Sequence, residues 1–221
     1  PTMGALHKGH ISLINKANKK SSKVLVSIYV NPKQFKSKKD FRKYPRKLKK
    51  DISTLRKIKV NYLYIPNNKD IYAFKPKIKI HLDNFSRILC GKFRPNHFRG
   101  VVNVVNRFLE IIKPTFIFLG RKDFQQLSLI KSHIIKNKIK THLIECPTIR
   151  ERSGIAISSR NLKLNRKQLK KVEKIYKFIK NNKKVILYKI LNKRRSEIIN
   201  KIIKLGATKI DYIECVNLKK K

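Results

Sequence analysis

The sequence predicts an α/β protein whose strands form a doubly wound parallel sheet. Along residues 1–146, apolar and β-branched stretches with the length of strands alternate with amphipathic stretches with the length of helices. Pro, Asn or Gly follows each of the main strand-like stretches and ends it. Polar side chains that suit ligand binding come directly after several of these strands. A repeated strand–helix–strand order is typical of a parallel sheet with helices on both faces.

Short apolar runs predict the four strands of this sheet, at residues 23–30, 62–65, 115–119 and 141–146. Apolar positions on one face predict helices for an opening stretch that includes residues 11–17, and for residues 45–57, 101–112 and a stretch that ends near residue 137. Between these elements, residues 78–82 alternate like a half-exposed strand, and residues 84–89 are expected to form a helical turn.

The C-terminal part of the chain changes character. Helices are predicted at residues 166–180 and 196–205, the second of them ended by Gly206. A last strand is predicted at residues 209–216. We therefore expect a smaller α+β domain after the sheet.

The charge of the chain is extreme. Lys and Arg number 57 against 12 Asp and Glu, which gives a formal net charge of +45. The basic residues are spread between apolar positions along the whole chain, and heavy use of Lys, Asn and Ile is what AT-rich coding produces. We interpret most of the charge as solvated helix faces, with non-specific affinity for polyanions as a side effect.

Cysteine usage and hydropathy narrow the class of protein. Cys90, Cys146 and Cys215 form no C-x-x-C pair, which is typical of ordinary buried thiols in a reducing compartment. No apolar run has the length of a membrane span, and no signal peptide is visible. We therefore expect a cytoplasmic protein. We also expect a trimmed sequence, because the opening turn at Pro1 should follow a strand.

The first ten residues, PTMGALHKGH, carry the clearest ligand-binding signal. They form a turn of small residues that leads into a helix, so amide N–H groups and the positive end of the helix dipole are available to an anion. Gly4 and Gly9 allow a ligand to approach the backbone closely. His7 and His10 lie on one face of the first turn, and a partly protonated imidazole suits phosphoryl or nucleotidyl transfer.

Two other interpretations of the histidine pair stay open on the motif alone. Both histidines could be ordinary surface residues of the helix. A zinc pair is less favoured, since no third His, Cys or carboxylate follows at the spacing of a metal ligand.

Further polar side chains follow the ends of two other predicted strands, namely Asn31, Gln34, Lys122, Asp123 and Gln126. Open parallel sheets bind their ligands at the carboxyl ends of the strands. We therefore expect these side chains and the histidine pair to share one pocket along that edge.

Residues 157–161, ISSRN, place two hydroxyl groups beside a guanidinium group. Ser158, Ser159 and Arg160 could follow the phosphate charge that develops and leaves as pyrophosphate. The alternative interpretation is a helix N-cap, a Ser or Asn before the helix at residue 166.

Together these motifs resemble the pantoate–β-alanine ligase (pantothenate synthetase) family of the His-x-Gly-His nucleotidyltransferases. The resemblance covers nearly the whole chain in order, and its motifs are PTMGALHKGH at 1–10, VSIYVNPKQF at 26–35, YPR at 44–46, HFRGV at 97–101, GRKDFQQ at 120–126, PT at 147–148 and ISSRN at 157–161. It implies a Rossmann-like ATP- and pantoate-binding domain at residues 1–148, without its first strand, and an incomplete C-terminal lid domain at residues 149–221.

The resemblance implies a two-step ligase reaction. The pantoate carboxylate attacks the α-phosphate of ATP to give pantoyl adenylate and pyrophosphate. The amine of β-alanine then displaces AMP to form pantothenate. Mg²⁺ is expected on the phosphates, held mostly by ATP and water, with Asp51 as a possible protein ligand.

The resemblance also implies roles for individual residues. Catalytic roles fall on His7, His10, Lys122 and Arg160, with His10 as the proton donor. ATP contacts fall on Met3, Gly4, Ala5, Leu6, His7, Lys8, Gly9, His10, Gly120, Arg121, Lys122, Asp123, Ile149, Ile157, Ser158, Ser159 and Arg160. Contacts with pantoate or β-alanine fall on Asn31, Gln34 and Gln126, whose neutral amides suit an alcohol and a carboxylate.

The sequence departs from the family pattern at two of these positions. Arg121 stands where the family usually has Glu, and Ile157 where Met is more usual. Two rival classes stay open: another adenylate-forming or nucleotidyl-transferring member of the superfamily, and a nucleic-acid-binding module. The basic residues are not clustered, which disfavours the second. The resemblance implies a homodimer that binds small-molecule substrates, without a specific nucleic acid or membrane partner.

Overall fold

The computed structural model describes residues 1–217, apart from the side chain of Leu191. The chain divides into two compact units, Pro1–Ile149 and Arg150–Lys221. The first unit combines helices with parallel strands, which confirms the predicted α/β class. Within residues 1–217, no helix combines the length and the apolar character needed to cross a membrane.

The strands of the first unit are β1 Leu25–Ser27, β2 Tyr62–Tyr64, β3 Phe116–Gly120 and β4 His142–Cys146. Its α-helices are α1 Lys8–Lys20, α2 Lys38–Arg42, α3 Leu48–Lys57, α4 Asn68–Tyr72, α5 Cys90–Phe93, α6 His97–Ile112 and α7 Phe124–Lys136. Short 3₁₀ helices lie at Pro32–Gln34, Asn84–Arg87 and Arg121–Asp123. The four predicted strands and the main helices are therefore present, with ends displaced by a few residues.

The described strands form two parallel pairs. Strand β1 pairs with β2, with Leu25 opposite Tyr62, and β3 pairs with β4, with Phe116 opposite His142. Thr2 adds an isolated parallel bridge to Ile28, just beyond the end of β1. A cavity of about 750 Å³ lies between β1 and β3 and is lined mainly by apolar side chains of these strands and of α1.

Apolar side chains from helices and strands hold the first unit together. Ile14 of α1 and Leu55 of α3 pack with Val26 and Ile28, so both helices cover the β1 region. A second cluster joins Tyr29 to Ile71, Val104 and Phe108, and thereby brings α4 and α6 to the loop after β1. These two clusters fix the carboxyl end of β1 relative to the helices around it.

The second unit is helical in its described part, with a 3₁₀ helix at Ser159–Lys163 and helices α8 Arg166–Asn181, α9 Lys183–Leu191 and α10 Arg195–Lys204. A capping box between Asn165 and Gln168 begins α8, and Gly206 adopts a φ of +107° just after α10. Four buried isoleucines, Ile186, Ile190, Ile198 and Ile202, form its core.

The strand predicted at residues 78–82 is wrong. Side chains of α6 and α7 bind its backbone where a neighbouring strand would otherwise do so: the Ile78 amide donates to Glu110 Oε1 at 3.0 Å, and the His81 amide donates to His133 Nδ1 at 3.2 Å. The alternating pattern therefore reflects an extended segment that covers two helices.

The strand predicted at residues 209–216 is also wrong. Ile210, Ile213 and Cys215 pack against the isoleucine core of the second unit, which accounts for their apolar spacing. Backbone pairing with another strand is absent from this segment in the part of the chain that the structure describes. The segment is irregular because its contacts are made by side chains to helices.

Gly100 sets the distance between α6 and the loop after β1. A Cβ atom at this position would lie 2.7 Å from the Lys33 carbonyl oxygen and 3.1 Å from the Gln34 amide nitrogen. Both neighbours are backbone atoms, so they cannot move aside as a side chain would. Glycine is needed here because of this close approach.

We expect Gly100→Ala to destabilise the protein by about 1–2 kcal/mol, measured by urea denaturation, since the overpacking cost exceeds the gain in helix propensity. Asn103→Ala, on a half-buried position of the same helix, is the control and should change stability much less. Unchanged or increased stability of Gly100→Ala would contradict the close approach.

Candidate active site

The opening turn is anchored by the buried carboxylate of Asp51. Gly4 and Ala5 adopt φ values of +74° and +49°, and the amides of Ala5 and Leu6 both donate to this carboxylate, to Oδ2 and Oδ1 respectively, at 2.8 Å. Consecutive amides that face one concavity form an anion-binding nest. Asp51 is only 2% exposed, so its charge is compensated mainly by these two donors.

This arrangement changes the expected role of the turn. Sequence reasoning assigned the amides of the opening turn to a ligand phosphate, whereas two of them bind an anion of the protein itself. The metal-ligand role of Asp51 stays a prediction, and a cation there would compete with both amides. Within residues 1–217, no three His, Cys, Asp or Glu side chains gather closely enough to hold a metal ion.

His7 and His10 stack at the start of α1. Their ring centroids are 4.0 Å apart and the ring planes differ by 20°. A Cβ at position 9 would lie 3.0 Å from two atoms of the His7 ring, so Gly9 makes room for the stack. Both Nδ1 atoms are buried and have no hydrogen-bond partner among the described residues. Unpaired buried polar atoms at a helix N-terminus are suited to a polar ligand.

Burial controls the charge of this pair. Desolvation lowers the pKa of His10 to about 3, with further contributions from the positive charges of His7, of the Pro1 amino group and of Lys122. Desolvation also lowers the pKa of His7, and Lys122 adds to the effect. Both imidazoles are therefore neutral at neutral pH in this structure. The expected partly protonated form requires a nearby negative charge, such as a phosphate.

The residues after β3 bring positive charge to the histidine pair. Lys122 is close enough to lower the pKa of both histidines, and its Nζ contacts the two carboxylate oxygens of Asp123 at 3.1 and 3.0 Å. At Gly120, an added Cβ would meet no atom within 4 Å, so the backbone borders open space. The structure thus brings the motif after β3 next to the motif before α1.

Arg121 has a local explanation for its departure from the family pattern. Its Nε donates to Glu145 Oε2 at 3.0 Å, and Lys131 contacts the other oxygen of Glu145 at 3.3 Å. The hydrogen bond from Arg121 is the largest cause of the lowered pKa of Glu145. The extra positive charge at position 121 is therefore partly compensated at the end of β4.

Gln34 links the loop after β1 to the opening turn. Its Nε2 donates to the Met3 sulfur at 2.6 Å, while its Oε1 accepts from Asn31 Nδ2 at 3.2 Å. Asn31 is 1% exposed, and its side chain also binds the Gly100 carbonyl oxygen, the Lys33 amide and the Tyr72 hydroxyl. All donors and acceptors of Asn31 are thus used within the protein, which makes it a positioning residue for Gln34.

Gln125 and Gln126 serve different surfaces of α7. Gln125 is buried, donates to the carbonyl oxygens of Phe85 and Ile88, and accepts from the Cys90 amide at 3.1 Å. Gln126 is half-buried, and its side-chain amide makes no hydrogen bond to any described residue. Gln126 is therefore free to bind a ligand. Sequence reasoning missed Gln125, whose partners lie 35 to 40 residues away.

The remaining predicted residues have simpler surroundings. Leu6 packs against the cluster below α1, and Lys8 is exposed. In the second unit, Ser158 caps the 3₁₀ helix by accepting from the Arg160 amide at 3.3 Å. The helix at residue 166 begins with an asparagine cap, Asn165, as the alternative interpretation allowed. Ile157 and Ser159 are buried, Arg160 is exposed, and Ile149 is half-buried at the end of the first unit.

Nucleotide-binding enzymes of the α/β class hold phosphates with cations and helix N-termini at the carboxyl ends of parallel strands. The first unit gathers such groups at the ends of β1 and β3 and therefore belongs to this class. The family follows from comparison with known proteins. A sequence profile described as pantoate-beta-alanine ligase matches residues 1–221, and the chain belongs to this family of ligases.

Individual relatives agree with this assignment. Pantothenate synthetase from Clostridium botulinum (strain ATCC 19397 / Type A) is 41% identical over 219 residues, which cover 98% of this chain and 78% of that protein. A crystal structure of pantoate-beta-alanine ligase from Francisella tularensis matches with a TM-score of 0.84 at 41% identity. The match covers 98% of this chain and 80% of the chain in that structure. The crystal structure of the Thermus thermophilus enzyme matches with a TM-score of 0.78 at 29% identity. This match covers 93% of this chain and 74% of the chain in that structure.

We expect Asp51→Asn to lower the free energy of unfolding by about 2–3 kcal/mol, because an asparagine turns a donor toward one of the two buried amides. Urea denaturation measures the loss. Asp70→Asn is the matched control, since Asp70 accepts from the Asn67 amide in the capping box of α4 and should cost only about 1 kcal/mol. Equal losses in the two variants would contradict the anchoring role of Asp51.

We also expect His10 to stay neutral in the folded protein as the pH falls from 6.5 toward 3. In this range the unfolded chain binds the proton and the folded chain does not, so stability present above pH 6.5 is lost on acidification. NMR titration of the imidazole, with the urea-unfolded protein as reference, measures both pKa values. A folded-state pKa near 6.5 would overturn this expectation.

Proposed function

We propose that this chain condenses pantoate with β-alanine to pantothenate through a pantoyl-adenylate intermediate, with ATP converted to AMP and pyrophosphate. One observation carries the proposal: Gln34 Nε2 contacts the sulfur of Met3 in the opening turn. The side chain expected to bind the acid therefore lies beside the motif expected to bind the nucleotide. The Francisella tularensis relative, described as a complex with beta-gamma ATP and β-alanine, supports both substrates.

The triphosphate of ATP is proposed to lie over the first turn of α1. His7 and His10 offer N–H groups there, and Lys122 offers a positive charge from the neighbouring strand end. A bound phosphate would raise the pKa of both imidazoles, because an opposite charge favours the protonated form. Protonation of the pair is thus coupled to ATP binding, and His10 becomes able to donate a proton.

Mg²⁺ is proposed to arrive as the ATP complex. The carboxylates near the turn are already engaged, Asp51 by two backbone amides and Asp123 by Lys122. The donor set of the described residues therefore suits a metal held by phosphate oxygens and water. Magnesium in this scheme is part of the substrate.

Pantoate is proposed to bind between Gln34 and Gln126. Thioether sulfur is a weak acceptor, so a substrate hydroxyl or carboxylate oxygen readily replaces Met3 as the partner of Gln34 Nε2. Gln126, on α7, has its side-chain amide available. Neutral amides orient the carboxylate without lowering its nucleophilicity as a cation would.

The proposed reaction proceeds in two displacements. A carboxylate oxygen of pantoate forms a bond to the α-phosphorus of ATP, and the bond from this phosphorus to the bridging oxygen breaks to release pyrophosphate. The β-alanine amine then attacks the acyl carbon, AMP leaves, and the amine loses a proton. Residues 1–148 would bind the substrates, and residues 149–221 would form the lid, with Ser158, Ser159 and Arg160 following the phosphate charge.

The resemblance to the family further supports a homodimer in the cytoplasm as the working form. A biosynthetic ligase that consumes ATP needs the cellular nucleotide pool. We propose this assembly and location for the chain on that ground.

We expect the purified protein to catalyse ATP–pyrophosphate exchange that depends on pantoate and proceeds without β-alanine. Gln34→Ala and His10→Ala should each reduce the exchange at least about 100-fold. His142→Ala, an exposed histidine of β4, is the control and should keep the wild-type rate. Exchange with another acid in place of pantoate would identify a different ligase, and no exchange with any acid would overturn the proposal.

A further inference from the structure

We propose that Tyr72 is a positioning residue that fixes the side-chain amide of Gln34 through Asn31 and thereby tunes the affinity for the acid substrate. The proposal rests on the proposed function, because it takes Gln34 as the group that binds the acid. Tyr72 ends α4, far along the chain from both partners, and no motif of the sequence singled it out.

The first contact of this chain of hydrogen bonds determines the orientation of Asn31. The Tyr72 hydroxyl donates to Asn31 Oδ1 at 2.6 Å, and the Lys33 amide donates to the same oxygen at 3.1 Å. The Lys33 amide can only donate, so an exchange of the Asn31 oxygen with its NH₂ group would place donor against donor there, and the short Tyr72 bond holds the oxygen in the same orientation. Asn31 Nδ2 must therefore point the other way.

The second contact determines the orientation of Gln34. Asn31 Nδ2 donates to Gln34 Oε1 at 3.2 Å and to the Gly100 carbonyl oxygen at 3.0 Å. With its oxygen occupied by Asn31, Gln34 presents its Nε2 donor to the opening turn, where it meets Met3 at 2.6 Å. A donor at this point recognises an oxygen acceptor, such as a carboxylate or a hydroxyl, and disfavours an ammonium group.

The surroundings of Tyr72 keep its hydroxyl in place. The ring is half-buried and packs against the cluster of Tyr29, Ile71, Val104 and Phe108, and Lys33 Nζ lies 3.9 Å from the ring centroid. The capping box of Asn67 and Asp70 fixes the start of the short helix α4. Burial raises the pKa of Tyr72, so the phenol stays a proton donor at neutral pH.

Tyr29 provides a matched control for the loss of a buried tyrosine hydroxyl. Its hydroxyl donates to Asn68 Oδ1, also at 2.6 Å, and its ring belongs to the same apolar cluster. Asn68 makes no hydrogen bond to Asn31 or Gln34 in the described part of the chain. Tyr29→Phe therefore removes a similar hydrogen bond from the same apolar cluster and leaves the hydrogen bonds between Tyr72, Asn31 and Gln34 intact.

The test compares Tyr72→Phe, Tyr29→Phe and the wild type in pantoate-dependent ATP–pyrophosphate exchange, with thermal unfolding recorded for each. Tyr72→Phe should raise the KM for pantoate about 3- to 10-fold, the equivalent of one net hydrogen bond, and change the KM for ATP less than about 2-fold. Tyr29→Phe should leave both KM values unchanged while lowering Tm by a similar amount. In a Gln34→Ala background, Tyr72→Phe should cause no further rise.

A second readout does not depend on turnover. Side-chain amide NMR signals of Asn31 and Gln34 should shift in Tyr72→Phe and stay in place in Tyr29→Phe. Unshifted signals, or equal KM changes for pantoate and ATP, would reduce Tyr72 to a structural residue and overturn the inference. If the wild type lacks pantoate-dependent exchange, the proposed function fails, and the amide signals still decide whether Tyr72 orients Gln34.

Discussion

The pairing of the Asp51 carboxylate with the amides of Ala5 and Leu6 is the interaction on which the candidate site depends. It stabilises a turn in which two consecutive residues, Gly4 and Ala5, adopt a left-handed conformation that the chain would otherwise leave. Through it, α3 fixes the turn that begins α1 and hence the position of the histidine pair. A turn that is already ordered costs a nucleotide no conformational entropy on binding.

A second set of hydrogen bonds, made by the Asn31 side chain, holds the loop after β1 in place. This loop meets the turn held by Asp51 where Gln34 contacts Met3. Gly100 allows α6 to approach the backbone of the loop closely. The side chain of Asn31, at the start of the loop, makes four hydrogen bonds that join the loop to α6 and α4. The Asp51 carboxylate and the Asn31 side chain are both fully engaged within the protein. The site is therefore built from buried supporting groups and a few side chains that remain available, among them the histidine pair and Gln126.

Sequence reasoning predicted the parts of the molecule that depend on local pattern. Apolar periodicity located β1 to β4 and the main helices. The strand-end rule predicts one shared edge for the polar motifs, and the structure brings Gln34 next to Met3 and Lys122 near the histidine pair. Sequence reasoning could not predict that Asp51 binds amides 45 and 46 residues earlier, or that Gln125 faces the interior beside Gln126. Residues 78–82 and 209–216 were wrongly predicted as strands, because an alternating pattern also suits a segment that covers helices.

The stacked histidine pair behaves as one acid–base unit. With the ring centroids 4.0 Å apart, a positive charge on one imidazole opposes a charge on the other. Protons therefore bind to the pair in two well-separated steps that belong to both rings together. A negative charge beside the pair favours the first step, whereas repulsion between the stacked rings opposes the second. Two histidines at this helix end thus take up their second proton less readily than their first.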